Sequence, residues 1–183
     1  MEEVTMNYKG IGFVVGIIVG LILVVILFKY ANTDKKVKTE YDERQEKVRG
    51  KAYMYAFYTA LIVEALLSMA SICGIEIPVK DYVLHFMGIL AGCLTLGSYC
   101  VWNDVYWGMN NDRRRYGLIF VIAIVINIIA VVGPAMSGFL FEEDGKIGIP
   151  VLNIAVIVML SVFGIEYLIK KAIDKKADVE EED

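Results

Sequence analysis

The sequence predicts an all-α, polytopic integral membrane protein with five transmembrane helices, its N-terminus outside and its C-terminus cytoplasmic. Three observations predict it. Charged residues make up 22% of the 183 positions, yet they are nearly absent from five stretches of 19 to 26 residues. Crossing a hydrocarbon core takes about 20 apolar residues, whereas a soluble core helix rarely runs so far without a charge. Those stretches also lack the ~10-residue alternation of a barrel strand, and backbone groups in lipid must be paired within their own segment, so each is a helix. Finally, fifteen of the 18 Lys and Arg residues fall on one side of the five spans. The positive-inside rule makes that side cytoplasmic.

Residues 1–9 form a short external tail, and the first span covers 10–28. Its apolar run is longer than a signal peptide's and its leader is acidic at Glu2 and Glu3, so it reads as an uncleaved anchor. Gly12, Gly16 and Gly20 recur every fourth residue along it. Such a face admits another helix backbone at close range, which makes this span the candidate contact for a membrane-protein partner or a second copy of the chain.

Residues 29–51 are the largest soluble segment, rich in charge and in helix formers. Glu40 with Arg44 and Glu43 with Lys47 are acid-then-base pairs at i,i+4. Thr39 followed by Asp42 is a weak capping signal for a juxtamembrane helix that runs on through Gly50. Its basic residues Arg44, Lys47, Arg49 and Lys51 are candidates for contact with anionic lipid headgroups or a partner. Nucleic acid is not expected as a partner, because acids dilute the basic residues and no recognised nucleic-acid-binding motif is present.

The second span covers 52–75 and is interrupted only by Glu64. The third, 82–103, repeats the glycine device with Gly88 and Gly92, and Thr95, Tyr99 and Asn103 continue that face. The fourth, 116–141, contains Pro134, where the helix is expected to kink or end. The fifth covers 147–169, and the charged tail 170–183, whose last residues are mostly acids, is expected to be disordered. Tyr and Trp residues, among them Tyr55, Tyr58, Tyr99 and Trp102, gather near the cytoplasmic ends as an interfacial belt. Cys73, Cys93 and Cys100 lie within spans and read as buried structural thiols.

Tyr41-Asp42-Glu43-Arg44-Gln45, then Arg49-Gly50-Lys51-Ala52-Tyr53 and Tyr55-Ala56-Phe57-Tyr58-Thr59, resemble a group of small bacterial multi-pass membrane proteins. These carry a DERQ-type motif just before an aromatic-rich transmembrane helix. The resemblance is confined to residues 41–59. It implies a bacterial plasma-membrane setting and brings no catalytic residue with it.

Glu64 carries the highest insertion cost in the chain. An acid at the bilayer centre costs about 2.5 to 3.5 kcal/mol on insertion scales, so it is expected to face protein or water. Counted from the span boundaries, Thr95 and Asn127 lie at a depth similar to that of Glu64. The three are expected to share hydrogen bonds, either as interhelical glue or as a ligand or proton site. There is one histidine, His85. No H-E-x-x-H, phosphate-binding or G-x-S-x-G motif occurs, and no zinc, haem or iron–sulfur ligand set can be assembled, so no metal, cofactor or enzymatic activity is expected. Two functions remain. One is a non-enzymatic accessory or regulatory protein acting through helix packing and its basic juxtamembrane segment. The other is a small carrier or solute-binding subunit using Glu64, Thr95 and Asn127.

Overall fold

The computed structural model describes residues 8–138 and 145–182, with side chains from 14 to 138 and from 145 to 176. The side chains of residues 1–13, Gly12 among them, and the end of the fourth span beyond Gly138 lie outside the described residues. Among the described residues, five helices follow one another: α1 (Tyr8–Ala31), α2 (Glu43–Ile72), α3 (Asp81–Trp102), α4 (Arg113–Ser137) and α5 (Ile149–Glu182). All five are long and apolar enough to cross a membrane.

The apolar surface points outward. Leu21, Ile62, Ile126, Ile129 and Leu168 are each about 60% exposed, and α4 has no buried residue. Water-soluble monomers rarely expose contiguous apolar patches beyond a few hundred Å². A continuous apolar coat over 18-residue windows of this kind fits hydrocarbon as the solvent.

The chain divides into two units, Met1–Glu40 with Gly108–Ile119, and Tyr41–Trp107 with Phe120–Asp183. In the larger unit, helices pack closely in two pairs, α2 with α3 and α3 with α5. The α2–α3 pair is antiparallel. Ala56 and Ala60 lie against Gly92, Glu64 lies against Gly88, and Tyr55 meets Tyr99 at 5.2 Å between ring centroids. Gly88 and Gly92 are both buried, and a Cβ at Gly92 would sit 3.0 Å from the Ala56 carbonyl oxygen. The glycine face of the third span is therefore the seat of α2. A small core of Ala52, Cys100 and Val105, flanked by Val48, Leu96 and Tyr106, closes one end of this pair.

α2 starts later than the Thr39 signal places it. Its N-cap is Asp42, whose carboxylate accepts from the Gln45 backbone N–H at 2.7 Å while Gln45 Oε1 accepts from the Asp42 N–H at 3.2 Å. This reciprocal capping box gives the D-x-x-Q spacing of the motif a local physical role. Because Glu40 lies before the cap, it pairs with Lys36 at 3.0 Å rather than with Arg44, whereas Glu43 and Lys47 pair at 2.7 Å as expected. From Asp42 the helix runs unbroken through Gly50 to Ile72 and ends at Gly74, whose φ of +69° suits a residue without a Cβ.

α4 runs through Pro134 for one further turn, with Ser137 Oγ donating to the Gly133 carbonyl at 3.0 Å, and then reaches Gly138. α5 places Pro150 in its first turn, where the missing N–H has no helical partner to lose. At its other end, the tail expected to be disordered continues the helix as far as Glu182. The Lys170–Asp174 pair, 2.8 Å apart at i,i+4, supports that extension where it begins.

Candidate functional site

The three polar residues matched by depth take three different partners. Glu64 Oε2 lies 2.8 Å from His85 Nδ1, a hydrogen bond that becomes an ion pair when the imidazole is protonated. Thr95 donates to the Ala91 carbonyl at 3.0 Å and lies 3.2 Å from the Thr59 hydroxyl. The Asn127 amide donates to the Ala123 carbonyl of its own helix at 2.8 Å. The expected shared cluster is therefore not formed among the described residues. The reason is register. In an antiparallel α2–α3 pair, the residue facing Thr95 is Thr59, five positions before Glu64, and the residue facing Glu64 is Gly88, one turn from His85. Glu64 also lies only eight residues before the end of α2, roughly 12 Å along its axis. The Glu64 side chain is 38% exposed on the protein surface and that of His85 64%.

The four basic candidates of the juxtamembrane segment separate as well. Arg44 and Lys51 are exposed, and Lys47 is exposed with its charge shared with Glu43. Arg49 turns inward. Its guanidinium lies 4.1 Å from the centre of the Tyr41 ring and donates to the Val105 carbonyl at 3.3 Å and to the Tyr53 hydroxyl at 3.2 Å. A planar cation that stacks on an aromatic face and reaches a backbone carbonyl is a structural fastener between α2 and the turn after α3. Gln45 adds a second one by donating from Nε2 to the Trp107 carbonyl at 3.1 Å. That turn is set by Asp104, which takes the left-handed conformation at φ 58° and pairs with Lys170 at 3.0 Å.

Sequence reasoning missed the polar turn of the smaller unit. Asn32 is fully buried and Asn110 is 6% exposed. Asn32 donates to the Lys36 carbonyl at 2.9 Å and accepts from Asn111 at 2.8 Å and from the Tyr116 hydroxyl at 3.0 Å. Asn110 donates to the Lys38 carbonyl at 3.0 Å and accepts from the Glu40 N–H at 2.9 Å, while its own carbonyl accepts from Thr33 N–H at 2.8 Å. Arg115 donates to the Tyr30 carbonyl at 2.9 Å and Asp112 N–H to the Ala31 carbonyl at 3.0 Å, so the last carbonyls of α1 are satisfied from outside their helix. The available signal was compositional. Asn32-Thr33-Asp34 and Asn110-Asn111-Asp112 are two runs of residues whose side chains imitate backbone groups. At the edge of this turn, Asp34 has its pKa lowered from 3.8, first by the hydrogen bond from the Lys36 backbone N–H, and Lys36 is raised by its bond to Glu40.

Of the cysteines, only Cys100 is buried, under Arg49 at 3.8 Å, while Cys73 and Cys93 are exposed on the protein surface. Cys73 caps the C-terminal end of α2 and Cys93 lies on an exposed side of α3, which corrects the reading of all three as buried. Between α2 and α3, an open groove of about 530 Å³ is lined by Tyr55, Tyr58, Tyr99, Trp102 and Asn103. Among the described residues, no group of three or more His, Cys, Asp or Glu is placed to hold a metal ion. Compared with known proteins, the chain matches no family model, no curated protein and no solved structure.

Proposed function

We propose that this chain is a non-enzymatic accessory or regulatory protein of a bacterial plasma membrane. In this reading its N-terminus lies outside, its C-terminus lies in the cytoplasm, and it acts through helix contacts and its juxtamembrane segment. One observation carries the reading. α2 is a single capped helix whose first two turns present Glu43, Arg44, Glu46 and Lys47 to solvent and whose stretch beyond Lys51 is apolar but for Glu64 and a few small or aromatic polar residues. Its polar start is fixed to the turn after α3 through Gln45 and Arg49, so the charged face is held in place. A surface built to be held still and left uncovered is suited to meeting another molecule.

Purification of the full chain in mild detergent tests this. The expected result is a stoichiometric protein partner, or a second copy, that is lost in the Arg44→Ala, Lys47→Ala double variant or in Gly16→Leu. Recovery of a bare monomer under every condition, in nanodiscs as in detergent, would overturn the proposal.

A second reading, a small carrier or solute-binding subunit, draws on the contact between Glu64 and the chain's one histidine. Intramembrane ionisable residues commonly mark solute or ion pathways. Glu64→Gln that leaves transport and ligand-induced stabilisation unchanged removes it.

A further inference from the structure

The groove between α2 and α3 has an ordered chemistry along its length. Lys51, Tyr55, Tyr58 and Ile62 stand at i, i+4, i+7 and i+11 and so share one face of α2. That face passes from a cation, through two phenols, to an aliphatic side chain. Tyr99 of α3 and Asn103 at its C-cap form the opposite wall. The polar groups at the two ends of that wall are already used, with Thr95 bonded to Thr59 and the Asn103 amide to the Tyr99 carbonyl. The hydroxyls of Tyr55, Tyr58 and Tyr99 have no hydrogen-bond partner among the described residues. Asp104, the acid next after Asn103, is neutralised by Lys170 at 3.0 Å. Three free phenol donors and an aliphatic continuation therefore line one open groove, and one exposed ammonium group, that of Lys51, stands one turn beyond Tyr55 on the same face of α2.

We infer that this groove holds one anionic glycerophospholipid. Its phosphate lies at Lys51, its ester oxygens accept from the tyrosine hydroxyls, and an acyl chain runs along Ile62. The order of side chains matches the order of groups in the lipid, since aromatic rings with a polar tip favour the headgroup level and basic residues the anionic surface beside it. A zwitterionic lipid would bring a second cation to Lys51 and gain less. The inference rests on the proposed embedding in a bilayer and deepens it by naming the lipid and its seat.

Trp102 lines the groove and Trp107 is the only other tryptophan, so a Trp107→Phe chain reports on the groove alone. That chain is reconstituted in phosphatidylcholine vesicles containing either brominated phosphatidylglycerol or brominated phosphatidylcholine at equal mole fraction, and Trp102 fluorescence is read. The brominated anionic lipid is expected to quench more strongly. In Lys51→Gln the preference falls roughly fivefold, the effect of about one basic residue at an anionic surface. Native mass spectrometry of lipid retained by the wild-type chain gives the same comparison independently of the Trp107 substitution. Equal quenching by the two lipids, quenching by neither because a protein or a second copy fills the groove, or a preference that survives Lys51→Gln would each overturn the lipid site. Failure of the chain to enter vesicles at all would instead break the bilayer embedding on which it rests.

Discussion

α1 and α3 carry the same device, a glycine every fourth residue, and use it differently. In α3 the face is filled: Gly88 and Gly92 are buried, and α2 comes so close that the Ala56 carbonyl takes the place a side chain would need. In α1, Gly16 and Gly20 have nothing within 4 Å. Within its unit, α1 is held by its polar end instead, through Asn32, Tyr30 and Ala31. The difference teaches that small-residue spacing encodes a capacity for close approach, while the occupant depends on what the rest of the fold brings there.

Filling the occupied face should have the largest effect. Gly92→Leu forces a side chain against a backbone carbonyl that cannot rotate away, and we expect a loss of about 3 kcal/mol, read as a lower melting temperature in detergent. An unchanged melting temperature would show that α2 does not sit where described. Next is the polar end of α1's unit. Asn110→Ala leaves the Glu40 N–H and the Lys38 carbonyl without their partners. A cost of about 2 kcal/mol should follow, with faster amide exchange across residues 33–40. Retained protection there would mean that the turn is ordered by something other than its asparagines.

The α2 cap should contribute less. Asp42→Ala removes the acceptor for the Gln45 N–H and should cost about 1 kcal/mol, seen as fraying of the first turn in amide exchange. Smaller again is a pH effect at Asp34. Its pKa is lowered in the folded chain, so its contribution is complete above the ordinary value of 3.8 and is lost as pH falls through the lower folded value. Exchange in the 33–36 turn should accordingly quicken on acidification in that range and be insensitive to pH in the Asp34→Asn variant. Last comes a null effect. Gly16→Leu and Gly20→Leu should leave monomer stability within ~0.5 kcal/mol, because surface substitutions away from packed features rarely do more. A large loss would mean that the α1 face is already occupied.

The helices were legible because solvent-imposed rules act on sequence directly. A segment in lipid must be apolar and must pair its own backbone, so runs of uncharged residues locate α1 to α5 with little ambiguity. The juxtamembrane helix was legible through its charge spacing, although its start belongs to Asp42 and Gln45 rather than Thr39. What was not legible depends on how separate segments meet. Depth counting put Glu64 with Thr95 and Asn127, but the offset between two antiparallel helices is fixed by side-chain packing and brought His85 to Glu64 instead. Arg49 counted among the exposed basic residues because charge alone does not reveal a ring to stack on 8 residues earlier, nor a carbonyl at Val105. Asn32 and Asn110 are 78 positions apart, and short polar runs carry no address for one another.

α2 touches the rest of its unit near both ends, at Gln45 with the Trp107 carbonyl and at Glu64 with His85. Gln45 and Glu64 are 19 residue steps apart along unbroken helix, roughly 28 Å of fixed length and a fixed angular phase. One added or deleted residue in that interval would rotate everything beyond it by about 100° and displace it by 1.5 Å, so one contact or the other must be lost. Point substitutions on the outward faces of α2 preserve both. The second helix is therefore tolerant of changes in identity and intolerant of changes in length, the opposite of the pattern usual for surface loops.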